Sequence, residues 1–318
     1  MRLHYCEHLP NFGDRLNPWL LPKLLPGCFD RDPQTACYGI GTLLGNAPPP
    51  VPRKVVFGSG AGHGPPPAID DSWDIRCVRG PLTARALGID ADFAATDPAA
   101  LVAAYIRKPW RGTTRPLFMP HHLSARRTDW SIVAANAGLD YIDPAGPVDT
   151  ILARIAAAPL VLTESLHGAV VADALRVPWV ALRMYPHILE FKWRDWCASL
   201  DVEYAPVQLP PLWNVWHREG PLVAAKILLR RAWHAGDPAT EGAPRRPLRS
   251  ASAEIEATTE ALSGIARWCR PQLSADGVLA SRTARLRDEA ERLRADTVAA
   301  FDQPGSRRFN RSLRFANG

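Results

Sequence analysis

VLTESLHGAVVADALRVPWVAL, residues 161–182, is the stretch whose reading decides the fold. Pro159 to Leu162 is a short apolar run suited to a buried parallel strand, and Ala169 to Leu175 reads as a helix. Between them lies a polar turn, Thr163-Glu164-Ser165-Leu166-His167-Gly168. Val177 to Leu182 gives the next strand, so the whole stretch is one βαβ unit. Such a turn leads from the carboxyl end of a strand into a helix whose first amides are unpaired, a place suited to an anion. The reading predicts an anion site formed by Ser165, Leu166 and Gly168, with His167 in its mouth and Glu164 beside it to orient the ring or raise its pKa.

The same alternation extends in both directions. Before residue 110, strands are expected at Leu3–Tyr5, Val55–Phe57 and Ile75–Val78, with a helix from Pro81 to Gly88 and another from Ala99 to Ala104. KPWRGTTR, residues 108–115, breaks the pattern. After it come strands near 117–119 and 141–143, helices over 129–137 and 147–157, the His167 unit, a helix over 192–197 and a short strand at Val202–Tyr204. The expected class is α/β: two facing doubly wound Rossmann-like domains, 1–110 and 111–205, with a ligand cleft between them. Residues 206–250 read as a Pro/Arg-rich linker enclosing a basic amphipathic helix at 221–234, and 251–318 as a helical extension with a basic tail. Leu279, Leu286 and Leu293 recur every seven residues, which over so short a run indicates a packed helix rather than a coiled coil.

Composition narrows the function classes. With 47% hydrophobic and 22% charged residues among 318, the chain has a globular core and is not disordered. No apolar run reaches the ~18 residues of a membrane span, and the start carries no secretory apolar region. Six cysteines without a CxxC pair argue for reduced thiols and a cytoplasmic protein. The net charge of +6 favours acidic partners; without a helix-turn-helix, RNP or zinc-finger pattern, nucleic acid is not expected among them.

Other constellations cluster at strand ends. Asn11-Phe12-Gly13-Asp14 supplies a bend and small polar caps, placing Asn11 and Asp14 at the mouth of the first sheet. Gly58-Ser59-Gly60 opens a glycine-rich loop that lacks GxGxxG spacing and is followed by three prolines, so it is no dinucleotide fingerprint. Arg79, after the third strand, would aim a free guanidinium at the cleft. His121 and His122, with Arg126 and Arg127, occupy the matching place in the second half. His4, Cys6 and His8 share a face if the first strand continues, but one strand does not wrap a tetrahedral ion, and no metal is expected.

Taken in order, NFGD at 11–14, the Gly58-Ser59-Gly60 loop, Val78-Arg79-Gly80, Asp97-Pro98, Ser165-Leu166-His167-Gly168, Ala172-Asp173-Ala174-Leu175 and Val177-Pro178 resemble the polysaccharide pyruvyl transferase family. The likeness covers about residues 1–200. It implies a GT-B-like fold and transfer of the pyruvyl group of phosphoenolpyruvate to two hydroxyls of a sugar, forming a cyclic ketal and releasing phosphate, with no cofactor. The implied acceptor is a glycan, often lipid-linked, which the basic helix at 221–234 would suit by peripheral contact with the inner membrane face. On this reading His167 protonates or binds the donor, Arg79 and the 121–127 corner hold its anionic groups, and Asp14 or Glu164 assists the acceptor. The family's common form has Arg immediately before Leu-His-Gly, where this chain has Ser165; Arg79, Arg126, Arg127 or Arg183 are the alternatives for that charge. Two rival readings use the same architecture. One is a glycosyltransferase taking a sugar nucleotide, with Glu190 as its carboxylate. The other is a non-catalytic glycan-binding scaffold.

Overall fold

The computed structural model describes residues 1–8, 10–30, 32–45, 48–107, 114–214, 217 and 249–302. Two parallel sheets carry the fold. The first has the order β1 (Arg2–His4), β2 (Thr35–Tyr38), β3 (Arg53–Phe57), β4 (Trp73–Cys77). The second comprises β5 (Leu117–Met119), β6 (Asp140–Tyr141), β7 (Val161–Thr163), β8 (Trp179–Arg183) and β9 (Val207–Gln208) in the order β6-β5-β7-β8-β9. Only this second order reverses, placing a switch point between β5 and β7. The expectation of two doubly wound halves is therefore corrected for the first. Its strands run in simple sequence, and among the described residues no helix lies between β2 and β3 or between β3 and β4.

Strand alternation sorts side chains onto distinct cores. In the second sheet Phe118, Leu162, Val180 and Leu182 face one way, against Trp130 and Val133 of α3 (Trp130–Asn136) and Leu262 and Ile265 of α7 (Ser252–Trp268). Leu117, Met119, Val161 and Ala181 face the other way and join a core that also holds Val55, Phe57 and Cys77 of the first sheet. Helices α1 (Phe12–Leu24), α4 (Val148–Ala157) and α5 (Leu166–Ala174), together with the 3₁₀ turn Pro98–Ala104, fill the space between. One continuous apolar core thus joins both sheets.

Two further helices cross between the halves. α6 (Glu190–Ser199) follows β8 yet lies against α2 (Pro81–Ala86) of the first half, so closely that a β-carbon on Gly80 would sit 2.1 Å from the Asp195 carbonyl oxygen. α8 (Asp276–Asp302) returns to the first sheet and buries Leu279, Leu286 and Leu293, the heptad-spaced leucines, in the shared core. Its register is fixed by Arg76, which pairs with Asp74 at 2.7 Å and with Asp296 at 2.5 Å. Among the described residues no helix is long and apolar enough to cross a membrane.

Most expected elements are present within a few residues. β1 ends at His4, so Cys6 and His8 lie beyond the strand that was expected to align them. The strand expected at 202–204 is displaced to β9, which turns part of the expected 206–250 linker into a sheet edge. The basic helix at 221–234, most of the break at 108–115 and the basic tail fall outside the described residues.

Candidate active site

The site begins at the switch point of the second sheet, where the carboxyl ends of β5 and β7 lead into His121-His122 and Glu164-Ser165-Leu166-His167. Of the nine residues of α5, every one except His167 is buried. Gly168 serves packing here: a β-carbon would lie 2.6 Å from Thr163 Oγ1 and 3.0 Å from Met119 Sδ. Thr163 Oγ1 in turn accepts from the Ser165 amide at 2.9 Å and donates to the Met119 carbonyl at 3.0 Å. Ser165 is the N-cap of α5 without a side-chain capping bond, and Leu166 faces the shared core.

Opposite stands the start of α1. The Asn11 side chain accepts from the Gly13 amide at 3.4 Å and donates to Asp14 Oδ2 at 2.7 Å, so one residue caps the helix and orients the carboxylate. The Phe12 amide donates to the Pro144 carbonyl at 2.9 Å, anchoring this helix start to the second half. Gly13 is required because the His167 ring occupies the place of a side chain: a β-carbon there would be 2.0 Å from Nδ1. His167 Nε2 lies 3.4 Å from Oδ2 of the wholly buried Asp97, a charge contact whose alignment falls short of a hydrogen bond. The other Asp97 oxygen caps the 3₁₀ turn by accepting from the Ala99 amide at 3.0 Å. Asp97 walls off Nε2 and leaves Nδ1, above Gly13, as the nitrogen open to chemistry. Asp14 feels the His167, Lys192 and His63 charges, yet burial outweighs them and raises its carboxyl above the ordinary range.

Glu164 is not the partner of His167. Its buried carboxylate accepts from the amides of Met184 at 2.9 Å, Tyr185 at 3.2 Å and His121 at 3.3 Å, fastening the loops after β5 and β8 together. Burial raises its pKa against these donors. On those loops the imidazoles of His121 and His122 lie 4.2 Å apart, and those of His121 and His187 5.1 Å apart. Burial, then the nearby Lys192, lowers His121 well below the imidazole range and His122 to about 4. His63, exposed on the glycine loop, is also lowered by partial burial and then by Lys192.

The arginines differ most from expectation. Arg79 was expected to hold a free fork at the cleft; it is wholly buried instead. Its Nε pairs with Asp195 at 3.0 Å, Nη1 donates to Thr42 Oγ1 at 2.9 Å and Nη2 to the Ala61 carbonyl at 3.2 Å. The Gly58-Ser59-Gly60 loop wraps this guanidinium: a β-carbon on Gly60 would meet Arg79 Cζ at 2.2 Å. Gly58, at φ +81°, leaves room for Pro98, and the Ser59 hydroxyl donates to the Gly41 carbonyl. Arg127 turns away to lie 5.5 Å from the Trp213 ring, and Arg183 pairs with Glu190, which also holds Arg194 at 3.2 Å. Arg126 alone of the four remains exposed beside His122.

Sequence reading therefore located Asn11, Asp14, His121, His122, Arg126, Ser165 and His167 near one another, and it missed Asp97, His63 and Lys192 as members of the site. Asp97 was visible only as part of the Asp97-Pro98 marker, without a role. Lys192 belongs to no motif.

The family model for polysaccharide pyruvyl transferase matches residues 49–184. Succinoglycan biosynthesis protein ExoV of Rhizobium meliloti (strain 1021) is 36% identical over 322 residues, covering 93% of this chain and 99% of the relative. Likeness at that level over nearly the full length of both proteins establishes kinship, and the chain belongs to the polysaccharide pyruvyl transferase family.

Proposed function

We propose that the protein transfers the pyruvyl group of phosphoenolpyruvate to two hydroxyls of one sugar in an exopolysaccharide or its lipid-linked precursor. The observation that carries this reading is the Asp97–His167 pair seated against Gly13, beside Asp14 and a group of basic side chains in excess of their acidic partners. Membership of the family supports it, as does the likeness to a succinoglycan biosynthesis protein.

The chemistry follows from the donor. A proton delivered to the methylene carbon of phosphoenolpyruvate leaves an oxocarbenium-like centre at the adjacent carbon. One sugar hydroxyl bonds to that centre and gives up its proton to a base. The carbon–oxygen bond to phosphate then breaks, and the second hydroxyl closes the ketal while its proton leaves with phosphate. His167 delivers the first proton from Nδ1, with Asp97 seated against the ring at Nε2. Asp14, whose affinity for a proton is raised by burial, takes the proton of the attacking hydroxyl. Glu164 positions the histidine loops rather than entering the reaction. Glu190, the carboxylate of the glycosyltransferase reading, is paired with Arg183 and Arg194.

A thermal-shift titration with phosphoenolpyruvate, with UDP, GDP and inorganic phosphate as controls, tests the donor assignment. Stabilisation by phosphoenolpyruvate well beyond phosphate, lost in His167→Ala, is the expected result. Stabilisation by a nucleotide alone overturns it.

A further inference from the structure

The first turn of α6 lies at the junction of the two halves and carries Lys192. On one side this turn meets the glycine loop: a β-carbon on Gly62 would be 2.9 Å from Leu189 Cδ2 and 3.3 Å from Phe191 Cδ1. Further along, the helix is fixed by Asp195, which accepts from Arg79, from the Thr83 amide at 2.9 Å and from the Thr83 hydroxyl at 2.6 Å. Its last turn is held by Ser199, which donates to Thr96 Oγ1 at 2.9 Å, next to the histidine's partner Asp97. The helix is thus held along its length against the first half.

Lys192 has no hydrogen-bond or ion-pair partner among the described residues, although it is half-buried. Asp14 of α1, His63 of the glycine loop and His121 and His122 after β5 all feel its charge. A cation in this place is unfavourable on two counts. Partial burial weakens its hydration without supplying an ion-pair partner, and the first turn of a helix is the positive end of its dipole. Burial, followed by repulsion from Arg79, pushes Lys192 down to about 8, against the attraction of Asp14 and Glu164. An apolar side chain of similar length would fill the position more favourably. An anion bound there would reverse both penalties.

We infer that Lys192 is the principal cation of the donor site, binding a phosphoryl or carboxylate oxygen of the substrate between the α1 start and the His121–His122 turn. The need for an anion follows from the unpaired charge, while its identity as phosphoenolpyruvate rests on the function proposed above. Of the four arginines expected to supply this charge, Arg79, Arg127 and Arg183 are engaged elsewhere and Arg126 is exposed beside His122, so α6 contributes a cation that the expected set did not include.

The test is calorimetric titration of wild type, Lys192→Met and Lys192→Arg with phosphoenolpyruvate, inorganic phosphate and pyruvate, together with the Tm of each ligand-free protein. Lys192→Met is expected to weaken phosphoenolpyruvate binding about 10- to 100-fold, the range for one charge-assisted hydrogen bond. The smaller anions show which oxygen is held: loss of phosphate binding marks the phosphoryl group, and loss of pyruvate binding the carboxylate. Between pH 7 and 9 wild-type affinity is expected to fall about tenfold as the ammonium deprotonates, whereas Lys192→Arg stays level because arginine keeps its charge. The ligand-free Lys192→Met protein is expected to melt a few degrees higher at pH 7. The unfolded chain holds this proton near 10.5 and the folded chain near 8, so wild-type stability rises with pH through that window, and the variant loses the rise. Unchanged phosphoenolpyruvate binding in Lys192→Met, or a lowered Tm, overturns the inference. Lys192-dependent binding of phosphate without any binding of phosphoenolpyruvate upholds the lysine and overturns the proposed function. No binding of any of the three anions by the wild type overturns both.

Discussion

Gly13 and His167 are 154 positions apart in the chain, yet the ring of one occupies the side-chain space of the other. That exclusion fixes the imidazole between the start of α1 and Asp97 without any bond to its exposed nitrogen, which stays available for proton transfer. Gly13→Ala is therefore expected to displace the ring while leaving the fold intact. A loss of about 100-fold in kcat, the usual consequence of an ångström-scale misplacement, should accompany a Tm close to wild type. Near-normal kcat would show that the ring needs no such seat. The Arg79–Asp195 pair behaves oppositely. Both side chains are wholly buried, and removing either partner leaves an uncompensated charge. Arg79→Met is expected to cost about 3–5 kcal/mol in urea unfolding. A cost below about 1 kcal/mol, the range of an exposed surface pair, would mean that water reaches the carboxylate.

Among elements, those with strong local signals were legible and those defined by distant partners were not. α5 and its flanking strands declared themselves through apolar runs and a polar turn, and Pro81 marked the start of α2. β2 was missed because Thr35-Ala36-Cys37-Tyr38 has neither alternation nor a β-branched run; pairing with β1 and β3 makes it a strand. β9 escaped for the same reason, two residues held at the edge of β8. For the candidate site, strand-end motifs pointed to Asn11, Asp14, His121 and His167. They misassigned Arg79 and Glu164, since no local pattern tells whether a charged residue at a strand end faces a ligand or a buried partner. Asp195 lies 116 positions from Arg79, and only the α2–α6 crossing brings them together.

At the scale of the molecule, both sheets draw on one core, which α8 completes from the far end of the chain. The protein is accordingly expected to unfold as one unit, with a single calorimetric transition in which enthalpy and steepness agree. Two resolved peaks would show that the halves are independent. Leu286→Ala, on α8 and wholly buried, should lower stability by about 2–5 kcal/mol in the same transition, although it lies in a region where no motif could be matched. Rigid coupling of this kind also keeps Asp14, His167 and Lys192 in register, because the three stand on α1, α5 and α6, all rooted in that core.

The burial of α5 has a consequence for how such proteins diverge. Eight of its nine positions are screened by folding, so drift there is removed before chemistry is ever at stake. Position 167 is under a different discipline: its ring lies outside the helix's own packing, against Gly13 and Asp97. A duplicated copy that sheds its transferase role is expected to retain the helix almost letter for letter and to differ at that single site. Within a genome, the imidazole at 167 would thus separate working copies from descendants that have kept only the shape.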